Sequence, residues 1–128
     1  KLKLIILSSR RTDQFIINHL NHEFGDSHIA WNENNNPYIA LLGISKFIIC
    51  TSDSVSMISE AIYSRKSVFI YRLKSSKNNN RIEDFINFVI DKGFVKLIPN
   101  LIEEFAHNYK NETEEVARRI HQMYTDLR

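Results

Sequence analysis

Five short, largely apolar runs, each followed by a segment of helical periodicity, constrain this 128-residue chain more than any other feature. The runs are Leu2–Leu7, Ser27–Trp31, Lys46–Cys50, Ser67–Tyr71 and Phe94–Ile98. Their oily character without polar alternation is the pattern of strands covered on both faces. Between them, Thr12 or Asp13 can cap a helix with Phe15, Ile16, Leu20 and Phe24 at helical spacing and Gly25 as its stop. Pro37 opens a short helix to about Gly43, and further helices are expected over 53–64, 81–92, 100–107 and 112–127. Strands alternating with helices predict a mainly parallel sheet with helices on both faces, a Rossmann-like three-layer α/β sandwich.

The length is that of a single domain, so residues 1–128 are expected to form one. With 43% hydrophobic and 25% charged residues the chain can bury a core without staples. It begins in a strand pattern without methionine, which reads as a fragment of a longer protein cut at a domain boundary. The lone Cys50 has no disulfide partner and, ending an apolar run, reads as a buried, inert thiol in a reducing compartment. No run is long enough for a transmembrane helix and no signal peptide is present, so a cytoplasmic location is expected. A net charge of +2 gives no argument for nucleic acid. His19, His22 and His28 lack a cysteine or carboxylate at a metal-site spacing, and no metal or cofactor is expected. Phosphate-loop and dinucleotide glycine motifs are missing, and Ser54 has no nucleophile-elbow glycines. The loop from Arg72 to Arg81, with four cations and no acid, reads as solvated.

In such folds ligands sit beyond the carboxyl ends of the strands. That rule selects "SSRRT" (8–12), the stretch from Asn32 to Tyr38, and the polar stretch "TSDSVSMISEA" (51–61). With Asp53 or Ser54 at the N-cap, Asp53, Ser56, Glu60 and Ser64 form one polar stripe, while Val55, Ile58 and Ile62, beside Met57 and Ala61, form the core side. The free N–H groups and dipole of the first turn favour a phosphate. Glu60 lies seven residues in, about 10 Å along the axis, a distance suited to ribose hydroxyls. Ordinary N-capping accounts for the same hydroxyls. Asp53 would repel a phosphate, so it either turns back to cap the helix or serves something else. Arg10 and Arg11, with Ser9 beside them, can clamp a diphosphate, or be solvated or paired with Asp13 or Glu23. Asn36 and Pro37 read as a turn and helix start, and Tyr38 can offer a ring to a base.

"SSRRT", "NPY" (36–38), "TSDSVSMISEA", "DKGF" (91–94) and "NETEEVARRI" (111–120) come in the order seen in one family. Over nearly its whole length the chain resembles the C-terminal half of the mitochondrial-fission Elm-like proteins of plants and their bacterial relatives, "DSVSMISEA" being the specific piece. That family resembles two-domain glycosyltransferases of the GT-B type. The resemblance implies the C-terminal, nucleotide-sugar-binding domain of a GT-B-like fold. Ser54, Val55 and Ser56 fall on the diphosphate turn and Glu60 on the ribose glutamate. It also implies a metal-independent glycosyltransferase using a nucleotide sugar such as a UDP-sugar, an N-terminal acceptor domain of the same protein as partner, and an acceptor at the inner membrane surface. No catalytic residue is assigned within these 128 residues. An inactive GT-B-like interaction module and a nucleotide-sugar epimerase are the alternatives. Two departures stand out. Asp53 replaces an uncharged residue of the enzymes. Arg65-Lys66-Ser67 stands where the family tends to have Gly-Lys-Pro, placing a non-glycine residue at a helix end that prefers glycine, at a cost of about 1 kcal/mol.

Overall fold

A computed structural model describes residues 3–9, 11–25, 28–29, 37–74, 80–99 and 102–127. It divides into two units, Lys1–Gly43 and Ile44–Arg128.

In the first unit, β1 (Ile6–Leu7) pairs in parallel with β2 (His28–Ile29), with Ile6 opposite His28 and Leu7 opposite Ile29. Between them runs α1 (Gln14–Phe24). Of the two expected caps, Asp13 takes the role, its side chain accepting from the Phe15 N–H at 2.7 Å. Gly25, at φ 49°, ends the helix in the left-handed region that glycine enters without penalty. The apolar stripe of α1 is less covered than its spacing predicts: Phe15 is 76% exposed, Ile16 and Phe24 are exposed too, and no residue of the helix is buried. Nor is the first strand covered on both faces, since Leu4 and Ile5 are exposed and only two residues pair. Helix α2 (Tyr38–Ile44) follows Pro37, whose carbonyl accepts from the Leu41 N–H at 2.9 Å.

The second unit carries the core. Strands β3 (Phe47–Thr51), β4 (Ser67–Tyr71) and β5 (Val95–Leu97) form a parallel sheet in the order β3-β4-β5. Phe47 stands opposite Ser67, and Val68 opposite Val95. The central β4 matches its expected span, and Val68, Phe69 and Ile70 are completely buried, as a strand covered on both faces requires. Helix α3 (Val55–Tyr63) packs on β3 and β4, and α4 (Asn80–Asp91) on β5. They bury Ile58, Ala61 and Ile62 from α3, and Ile86 and Val89 from α4. The mixed α/β architecture with a parallel sheet is thus the Rossmann-like class expected.

The expected helix over 100–107 does not form; the described residues 102–110 have no regular secondary structure. The reason is a competing tertiary bond. The buried Ser67 hydroxyl donates to the Phe105 carbonyl at 3.1 Å and accepts from the Phe105 N–H at 2.9 Å, taking both groups a helix would use. The Phe105 ring meets Phe69 edge-on at 5.6 Å, and His107 Nε2 lies 3.2 Å from the Lys66 carbonyl. This strap leads to α5 (Glu112–Asp126), whose N-cap Asn111 accepts from the N–H groups of Thr113 and Glu114.

Candidate functional site

The polar stretch after β3 turns into α3 without glycine, and Ser52 shows how. Its N–H bonds the Tyr71 carbonyl at 3.0 Å, and its buried hydroxyl accepts from the Leu73 N–H at 2.9 Å. The ends of β3 and β4 are stitched together by one side chain, which fixes where α3 must begin. The only sequence signal that marks Ser52 is a small hydroxyl residue directly after an apolar run.

Helix α3 then starts at Ser54, the N-cap, with extended backbone (φ −133°, ψ 96°). Unlike Asp13 and Asn111, Ser54 makes no side-chain capping bond. The first helical bond runs from the Ile58 N–H to the Ser54 carbonyl at 3.1 Å, so the N–H groups of Val55 and Ser56 have no partner among the described residues. Asp53, Ser56 and Glu60 are exposed and Ser54 is half-buried. The polar stripe is therefore real as far as Glu60. At its far end Ser64 instead bonds back to the Ala61 carbonyl at 2.6 Å. Ile58, Ala61 and Ile62 lie on the core side as expected. Val55 shares their face by spacing but, as the first helical residue, is 37% exposed at the rim of the core. Ser54, Val55, Ser56 and Glu60 are thus brought together on one helix.

The neighbourhood is electrostatically one-sided. Burial, and secondarily the Asp53 charge, push the Cys50 thiol up to about 12, which makes it the inert thiol its position predicts. The N-cap position of α3 is taken by Ser54, with Asp53 one residue before it. Its carboxylate is exposed at the strand mouth.

The other predicted residues belong to the first unit. Ser9 is half-buried and already engaged: its N–H bonds Thr12 Oγ1 at 2.9 Å, and its hydroxyl accepts from the Arg11 N–H at 3.2 Å. These bonds, with Thr12 N–H to the Ser9 carbonyl at 3.0 Å, build the turn that delivers α1. Arg11 is exposed, with no ion pair among the described residues; Asp13 is occupied as a cap and Glu23 lies 3.0 Å from His22 Nδ1. Tyr38 is half-buried at the first position of α2. Arg10 and Asn36 lie outside the described residues.

Two further features bear on the site. Arg72, read from sequence as part of a solvated loop, is held: it pairs with Glu83 at 2.7 Å and donates to Asn87 at 2.8 Å, both on α4. One acid and one amide on the following helix supply what the loop itself lacks. A cleft of about 390 Å³ opens between α3, α4 and residues 108–112, bordered by Ser59, Phe85, Phe88, Lys92 and Tyr109 among others. Asp53, Ser54, Ser56 and Glu60 do not border it. Among the described residues no helix is long and apolar enough to cross a membrane, and no group of His, Cys, Asp or Glu is arranged to hold a metal.

An uncharacterized protein of Rickettsia prowazekii (strain Madrid E) is 32% identical over 124 residues, a match covering 91% of this chain and 35% of the relative. The chain therefore spans about a third of that relative's length. No solved structure matches the chain. The family model described as Mitochondrial fission ELM1 matches residues 1–124, and the chain belongs to that family.

Proposed function

We propose that the second unit carries the nucleotide-sugar-binding surface of a GT-B-like glycosyltransferase, with the nucleoside diphosphate at the start of α3. The observation that supports this most is the open N-terminus of that helix. An N-cap serine without a capping bond, unpartnered N–H groups at Val55 and Ser56, and an exposed Glu60 share one side of α3. Helix N–H groups and dipole together attract an anion. Preorganised donors of this kind would stabilise the charge on a departing diphosphate without a metal. Glu60 would accept from the ribose hydroxyls. The acceptor, proposed at a membrane surface, and the catalytic base would belong to the rest of the protein.

Asp53 favours a second reading, a GT-B-like module that binds a partner and has no activity. Its exposed carboxylate stands where a phosphate would sit, and like charges disfavour one another there. The family's description names an effect on mitochondrial fission, an outcome that fits either chemistry or scaffolding.

Titration with UDP, GDP, ADP and their sugars, followed by amide NMR shifts, separates the two. The nucleotide reading expects shifts across Ser54 to Glu60 and binding weakened several-fold by Glu60→Gln. If no nucleotide moves these resonances, the nucleotide reading fails and the module reading stands.

A further inference from the structure

The cleft between α3, α4 and residues 108–112 plays no part in the nucleotide reading. Ser59 and Ile62 border it from beyond the first turn of α3, and Lys92 and Phe94 from the turn that leads into β5. That is the amino end of the parallel strands. The rule that places ligands at their carboxyl ends passes over it. Its volume of about 390 Å³ lies within the range of small-molecule sites, about 300–1,000 Å³.

Four of the six apolar residues that border the cleft carry rings: Phe85, Phe88, Phe94 and Tyr109. Phe94 and Tyr109 meet edge-on with centroids 5.5 Å apart, which ties the strap to the start of β5 and fixes that wall. Phe88 is 52% exposed. Two exposed cations, Lys92 and Lys110, stand beside these rings. Lys46 and Lys96 are paired with Glu104 and Glu103 of the strap, whereas Lys92 and Lys110 have no ion pair among the described residues. The Lys92 ammonium instead lies 5.8 Å from the centre of the Phe88 ring, so a cation and an aromatic surface are held together. Glu112 is the one acid bordering the cleft, and it pairs with neither lysine. Two lysines and one glutamate suit a single negative charge. A diphosphate would bring further charges that Glu112 repels.

We propose that this cleft binds a small aromatic monocarboxylate, its ring against Phe88 and Tyr109 and its carboxylate between Lys92 and Lys110. The rings supply the apolar contact, and the two ammonium groups donate to the carboxylate oxygens. The site is separate from the one proposed at the start of α3, and neither depends on the other.

The test titrates the full-length protein with naphthoate by calorimetry and locates the ligand by hydrogen exchange. Naphthoate should bind and slow exchange at residues 85–94 and 108–112. Naphthylmethanol, which has the same ring without the charge, should bind about tenfold more weakly. Lys92→Gln combined with Lys110→Gln should weaken naphthoate by about tenfold and leave naphthylmethanol unchanged. Lys74→Gln, an exposed position that does not border the cleft, should change neither. Equal binding of the acid and the alcohol to the wild type would overturn the proposal without reference to any variant. So would naphthoate that fails to bind or protects other residues, a double variant that binds it as the wild type does, or tighter binding of the aliphatic decanoate.

Discussion

Helices α3 and α5 are both amphipathic, yet they are held by opposite means. The nine residues of α3 have an open start and a strained finish: Ser54 caps nothing, and just past the C-cap, where Ser64 and Arg65 do bond the last carbonyls, Arg65 takes φ 58°, a conformation that costs an L-residue what glycine avoids. What fixes α3 is burial, with Ile58 and Ala61 wholly removed from solvent and Ile62 nearly so. The fifteen residues of α5 bury nothing and have good ends, a bidentate Asn111 cap, an acidic first turn and internal ion pairs. A helix lodged in a core can leave its terminal groups open, and an open N-terminus is what an anion site needs. One without a core must close its own ends.

The sharpest way to break this comparison is to truncate the apolar face of each helix. Ile58→Ala should cost about 2–5 kcal/mol in urea unfolding of the second unit, through lost transfer energy and the cavity left behind. Ile120→Ala in the same 128-residue chain should stay within about 0.5 kcal/mol. Equal losses would mean that α5 is packed where the structure has it bare. The caps give the next effect, in reverse order. Asn111→Ala should cost about 1 kcal/mol of α5 stability, read as lost helical ellipticity or faster exchange of its first turn, because two N–H groups lose their acceptor. Ser54→Ala should change unfolding by only a few tenths of a kcal/mol, since no capping bond is lost. Arg65→Gly sharpens the picture from the other end of α3: it should stabilise the second unit by up to about 1 kcal/mol, by relieving the left-handed backbone. A loss there would mean that the Arg65 side chain has a role beyond the turn.

Much of this was legible in the chain. The β4 span, the Asp13 cap with its glycine stop, and the non-glycine residue at the end of α3 follow from local rules that the sequence states directly. The core side of α3 followed from spacing alone, apart from Val55, whose place at the rim depends on where the strand stops. Less legible were features decided across the chain. The spacing around Phe105 predicts a helix, but its backbone bonds go to a serine 38 residues away. Arg72, though exposed, finds its acid Glu83 on another element, and the Ser9 groups are spent in a turn that no sequence pattern announces. The exposed Phe15 and Ile16 show the same limit, for spacing says which face is apolar but not what covers it. At the candidate site the openness of the α3 start was inferable, whereas the idle Ser54 and the exposed Asp53 carboxylate were not.

The Ser67 clasp bears on how little of the strap's own sequence its fastening requires. Ser67 grips the main chain of Phe105, and main-chain groups are the same whatever residue occupies the position. The instruction for fastening the strap is therefore written in the first residue of the central strand, not in the strap. The clasp needs a small hydroxyl at position 67, which the proline of a Gly-Lys-Pro stretch would not supply, while the fastened residue answers to the contacts its ring makes with Phe69 and Lys96. A segment without periodicity can drift in sequence and still be delivered to the same place.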